Sequence, residues 1–150
     1  MNADADRFDL ERFVAAQQGV YPSIRDELRR GRKTGHWIWF VFPQVAGLGR
    51  SEMSRHYAIS SLEEARAYLD HAVLGERLRE CTSLVVASST RSAEEFFGAV
   101  DAMKVRSSMT LFHRAAPDEA VFRAVLDRFY GGPTDPATDE LLAPRTDATG

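Results

Sequence analysis

The sequence predicts an all-α fold, a compact single-domain multi-helix bundle with irregular packing. Three observations carry this expectation. Apolar residues recur at helical spacing along most of the chain. Helix-opening and helix-closing residues punctuate it at short intervals. No series of alternating strands separates the helical stretches. At 150 residues, 44% of them hydrophobic, the chain is long enough to bury a real core in one domain.

Residues 1 to 6 read as a frayed end. Leu10, Phe13, Val14 and Gln17 then repeat at helical spacing, with Asp9 placed to cap. Gly19 breaks that helix, and Pro22 suits the first turn of the next. Ile24 and Leu28 share a face there, and Gly31 follows its end. His36-Trp37-Ile38-Trp39-Phe40-Val41-Phe42-Pro43-Gln44 comes next. Its continuous apolar run is ambiguous by periodicity. A short buried helix is favoured, since nothing else in the chain offers a sheet partner. Pro43 should stop it by pushing Phe42 towards extended backbone.

Gln44 to Arg50 reads as a loop and Ser51 to Tyr57 as a turn of helix. Ser60 or Ser61, with Glu63 or Glu64 three residues on, opens a helix to Asp70 in a capping-box pattern. From Val73 to Ala87, Leu74, Leu78, Cys81 and Val85 line one stripe. Ser92 with Glu95 is a second capping-box pattern, and Gly98 follows as a stop. Asp101 to Ala115 reads as helix, with Val105, Met109 and Phe112 on one face. Asp118 is placed to cap a last helix, which Gly131-Gly132 ends. The ordered core is expected over about 6–131 of the 1–150 domain, and 133–150 reads largely as tail, with a short turn at Asp139 to Leu142.

Composition narrows function mainly by exclusion. A net charge of −3 with interspersed signs gives no field that calls for nucleic acid. The short basic cluster Arg29-Arg30-Gly31-Arg32-Lys33 is either a solvated helix end or an anion contact. No run of roughly 20 apolar residues could span a bilayer. Cys81 is the only cysteine, so no internal disulfide forms, and a cytoplasmic location is the default. It lies on an apolar stripe and reads as an inert buried thiol. His36, His56, His71 and His113 offer no pair at i, i+4, and no metal or cofactor is expected. A monomer is the default.

The residues that could carry chemistry fall in two groups. His36 opens the aromatic segment, where a neutral imidazole would suit a general base; the alternative is a capping or packing histidine. Trp37 and Trp39 could stack a planar ring, worth about 1–3 kcal/mol per base, or simply fill core. Gln44 and Tyr57 are polar groups flanking the segment. Asp101, Lys104 and Ser108, with Ser107 adjacent and Thr110 beside them, are placed on one helical face, opposite Val105-Met109-Phe112. On a solvated face Asp101 and Lys104 form a weak exposed pair; lining a cleft, they become anion- or ribose-binding equipment. Gly47-Leu48-Gly49-Arg50-Ser51 reads either as a plain helix-entry turn or as an anion-attracting loop.

These segments also resemble a known family. Gly35 to Gln44, Gly47 to Ser51, Tyr57-Ala58-Ile59, Val73-Leu74-Gly75 and Lys104 to Phe112 are similar to domain-of-unknown-function 1810, whose bacterial members are often labelled "calpastatin". The resemblance runs from about Asp6 to Leu142. It implies an all-α single domain without known cofactor, and no established activity. The calpain-inhibitor label conflicts with the chain's core-forming composition, because such inhibitors are largely disordered. Any likeness to helical domains that process ADP-ribose-like or riboflavin-pathway N-glycosides is distant.

Two readings follow. In the first, the protein binds a small anionic or nucleotide-like ligand, or hydrolyses an N-glycoside. Trp37 or Trp39 stacks its ring, Lys104 takes the anionic group, and Gln44, Ser107 or Ser108 holds hydroxyls. Asp101 or His36 is the acid–base candidate. In the second, the aromatic segment and the Lys104 face form a protein-interaction module.

Overall fold

The computed structural model describes residues 6–144, which form ten helices. These are α1 (Glu11–Gln17), α2 (Tyr21–Arg30), α3 (Ile38–Val41), α4 (Glu52–His56), α5 (Leu62–Asp70), α6 (Leu74–Ala87), α7 (Ala93–Phe97), α8 (Ala99–Ala115), α9 (Ala120–Tyr130) and α10 (Pro136–Leu142). The chain is an all-α single domain. The aromatic segment forms the short buried helix α3, and Phe42 leaves helical geometry (φ −123°, ψ 72°) immediately before Pro43. The segment's one strand-like feature lies just beyond it, an isolated parallel bridge between Val45 and Ile59.

Helix α8 is the centre of the fold. It packs against α9, α7, α5, α10 and α3. Val105, Met109, Leu111 and Phe112 are fully buried along it. Edge-on and tilted rings run through the core from Phe13 on α1 to Tyr68 on α5, Phe112 on α8 and Phe122 on α9, with centroids 5.1, 5.4 and 5.8 Å apart. A second aromatic group joins Trp37 to Phe42, Phe97, Phe96 and Phe129. Such pairs add directionality to the burial of large apolar side chains. The hinge between α7 and α8 is Gly98, at φ +83° and ψ 158°, a conformation closed to residues with a Cβ.

The capping signals divide cleanly. Ser61 accepts from the Glu64 amide, and Ser92 from the Glu95 amide. Glu64 reaches back to the Ser60 amide rather than to that of Ser61. Gly31 and Gly131 take the left-handed conformation after α2 and α9. Two expected caps are not used. Asp9 adopts φ 54°, and the amides of Leu10 and Glu11 donate instead to the Asp6 carboxylate. Asp118 does not cap α9, whose N-cap is Glu119 without a side-chain bond. Glu119 is drawn to Arg79, which grips it with two guanidinium hydrogen bonds of 2.7 and 2.8 Å. That pairing holds the Glu119 carboxyl below its ordinary range.

The stretch expected to be tail is partly built into the core. α10 lies on α8, with Thr138 fully buried. Asp135 is its N-cap, accepting from the Thr138 amide and hydroxyl. The same carboxylate oxygen accepts from Ser107 on α8, and the Asp135 amide donates to Thr110. Asp135→Ala should therefore cost about 1–2 kcal/mol through the lost cap. It should also speed amide exchange across Pro136–Leu142 while α8 stays protected. Unchanged exchange there would show that apolar contacts alone hold α10.

Candidate functional site

The site begins with the polar end of α2. Glu27 is buried on that helix, and its Oε1 accepts from the Thr34 amide (2.7 Å), the Gly35 amide (2.9 Å) and the Trp37 indole (2.9 Å). Burial pushes its carboxyl up, but the Gly35 and Thr34 amides and the Trp37 N–H outweigh that and hold it below the usual range. This one oxygen folds residues 34–37 back over α2 and delivers α3 to α8.

Lys33 precedes that loop with its side chain only 7% exposed. Its ammonium donates to the Gly35 carbonyl, lies 2.7 Å from Asp101 on α8, and sits 5.4 Å from the centroid of the Trp37 ring. Asp101 is thus held chiefly by Lys33. Lys104, one turn along α8, stands 3.6 Å from Asp101, too far for a hydrogen bond, and 4.9 Å from the centroid of the Trp39 ring. The Lys104 ammonium is oriented by a carboxylate and an aromatic face, yet its three N–H donors make no hydrogen bond among the described residues.

Lys104 opens onto a cleft of about 290 Å³ between α8, the Gln44–Gly49 loop and the start of α10. Gln44 and Ser107 line it with Lys104, and Leu48, Val100, Met103 and Ala137 give it apolar walls. Asp135 and Arg106 complete the rim, each with part of its polar head engaged. Arg106 donates to the Pro133 and Thr134 carbonyls, and Asp135 holds Ser107 and Thr138. Val100 and Met103 are 67% and 72% exposed, so apolar surface faces outward at the mouth. A wider groove of about 520 Å³ lies between the N-terminal segment and α5. It interleaves acids and bases, with Arg7 and Glu63 paired across it at 2.8 Å, and gathers none of the uncommitted donors described above.

Residues 7–142 match the family described as a protein of unknown function, DUF1810. The chain belongs to the DUF1810 family. Its fold is also that of a solved structure, the conserved hypothetical protein Rv1873 from Mycobacterium tuberculosis. The two are 56% identical, with a TM-score of 0.91 over 93% of this chain and 100% of that one. No curated protein matches the chain.

In this DUF1810 chain, the structure brings Gln44, Lys104 and Ser107 to one cleft and places Asp101 and Trp39 behind Lys104. The remaining candidates stand elsewhere. His36 is exposed and lines a separate groove with Val20, Ser23 and Phe40. Trp37 is core, its N–H held by Glu27. Tyr57 packs between Phe13 and Phe40, each 5.6 Å away. Thr110 is buried and bonded to the Arg106 carbonyl and the Asp135 amide.

Ser108 corrects the expected face. It is fully buried, and its Oγ has no partner among the described residues. Ser108 lies three residues after Val105 and four before Phe112, steps that share a helical face, so it stands beside them and not opposite them. The cleft side of α8 is instead Val100, Met103, Lys104 and Ser107.

Glu27 and Asp135 were not singled out in the sequence, and Lys33 entered only as the last residue of the basic cluster. Asp135-Pro136 with Thr138 carried a usable signal, a capping Asp followed by proline at the first helical position. Among the described residues, no group of His, Cys, Asp and Glu is arranged to hold a metal ion, and no helix is long and apolar enough to cross a membrane.

Proposed function

We propose that this protein binds a small anionic ligand, nucleotide-like in kind, in the α8 cleft. The observation that carries the reading is the state of Lys104. Its charge is positioned by Asp101 and Trp39, while Lys33 satisfies Asp101 and leaves the Lys104 donors for something else. Gln44 adds an amide that can donate and accept, and Ser107 keeps lone pairs for a ligand hydroxyl. Leu48, Val100 and Met103 suit the face of a planar ring, with methionine supplying a polarizable contact.

Binding is better supported than hydrolysis. An N-glycoside hydrolase needs a carboxylate or imidazole to activate water. Asp101 is engaged by Lys33, one Asp135 oxygen already accepts from Ser107 and Thr138, and His36 lies on another groove. A protein-interaction role is the second reading, favoured by the exposure of Val100 and Met103.

Thermal unfolding with AMP, ADP-ribose and flavin precursors tests the proposal. At a hundredfold excess over Kd a ligand stabilises the native state by about 2.7 kcal/mol, a shift of several degrees in Tm for a chain of this size. The shift should disappear in Lys104→Ala, whose own Tm should stay close to that of the parent. If no ligand shifts Tm at millimolar concentration, the interaction reading takes over.

A further inference from the structure

A second cavity of about 210 Å³ adjoins the α8 cleft at the Gln44 loop, lined by Val45, Ala46, Gly47, Ser54, Arg55 and Ala58. Gln44 and Gly49 line both cavities, so the loop forms a saddle between two lobes. Both lobes carry cations. Lys104 and Arg106 line the first, where Arg106 is turned to the Pro133 and Thr134 carbonyls, and Arg55 lines the second. Arg55 is exposed, and its guanidinium makes no ion pair among the described residues. Nor do the backbone amides of Gly47, Leu48 and Gly49 donate to any other described residue.

The lobes differ in chemistry. The first combines apolar walls with an ammonium, whereas the second combines small residues, loop amides, a serine and a guanidinium. Guanidinium and backbone amides together suit a phosphate-like group, which accepts several hydrogen bonds at once. The Gln44 side chain, with one donor end and one acceptor end, suits a neutral hydroxylated connector.

We infer that the occupant is an elongated ligand with two anionic groups, one met by Lys104 and the other by Arg55, joined by a hydroxylated part at the Gln44 saddle. A nucleoside bisphosphate is the simplest compound of that description. This rests on the proposed binding function and extends it, since one anion would satisfy Lys104 alone.

Calorimetric titration with AMP and with adenosine 3′,5′-bisphosphate separates the two. At low ionic strength the bisphosphate should bind about tenfold more tightly than AMP, the worth of one added charge-assisted contact. Arg55→Ala should abolish that advantage and leave AMP binding unchanged. The variant should fold as the parent does, because the guanidinium bonds nothing among the described residues. Added salt should shrink the advantage more than it weakens AMP. AMP binding without an Arg55-dependent gain would overturn the two-anion inference and leave the Lys104 site standing. Failure of both compounds to bind would overturn both.

Discussion

Glu27→Ala should destabilise the protein by about 3–4 kcal/mol, measured by urea unfolding. The change removes one oxygen that accepts three hydrogen bonds, from Thr34, Gly35 and Trp37. Each orphaned buried donor costs about 1–3 kcal/mol. Trp37 loses most, because its indole is buried among Ile38, Phe42 and the core. Thr34 is exposed and can turn to water, so its share is small. Glu27→Gln keeps an acceptor in place and should cost about 1 kcal/mol.

The same carboxylate sets a pH dependence. Its folded-state pKa is depressed, so its contribution is fully present above the unfolded value near 4.3. That contribution is lost as pH falls through the lower folded value. Between about pH 3 and pH 7, wild-type stability should fall more steeply at the acid end than that of Glu27→Gln. Parallel curves would show that Glu27 contributes no differential protonation.

Arg12→Ala is expected to cost about 3–5 kcal/mol, as for breaking a buried ion pair. Arg12 donates to the carbonyls of Phe8, Asp9, His56 and Ala58 and to Glu64, and its guanidinium lies 4.4 Å from the centroid of the Phe13 ring. Its five N–H donors are all used, in directions fixed by a planar fork. Arg12→Lys keeps the charge but not the fork, and should recover less than half of the loss. Recovery to wild-type stability would mean that charge alone matters. The consequence reaches the site. Arg12 pins residues 56–58, whose continuation at Ile59 bonds the Gln44 carbonyl and the Ala46 amide. Both variants should therefore weaken ligand binding without touching the cleft.

The helices were legible because their signals are local. Ser61, Ser92, Gly31 and Gly131 act within four residues of themselves, and the structure uses all four as caps. Asp9 and Asp118 carried the same kind of signal, but Asp6 and the Arg79–Glu119 pair outcompeted them. The α3 assignment followed from the lack of strands, and Pro43 fixed its end. The cleft was legible only in part. Gln44, Lys104 and Ser107 could be chosen by residue type, but their meeting depends on long-range contacts. Lys33 sits in a basic run whose arginines are solvated, and only its salt bridge to Asp101, far along the chain, sets it apart. Asp135-Pro136 offered a capping signal, but the helix it opens is too short to show periodicity.

The chain carries only two lysines, Lys33 and Lys104, and leaves every other fixed cation to arginine. Both flank Asp101, and each lies over a tryptophan. Lys33 is sealed by its partners, so among side chains amine-directed reagents are confined to a single position, the mouth of the cleft. A small acylating or methylating label would mark Lys104 in preference to Lys33. Trp39 beneath Lys104 would report the event by its emission. The fold thus supplies its own chemical handle at the place where occupancy needs to be read.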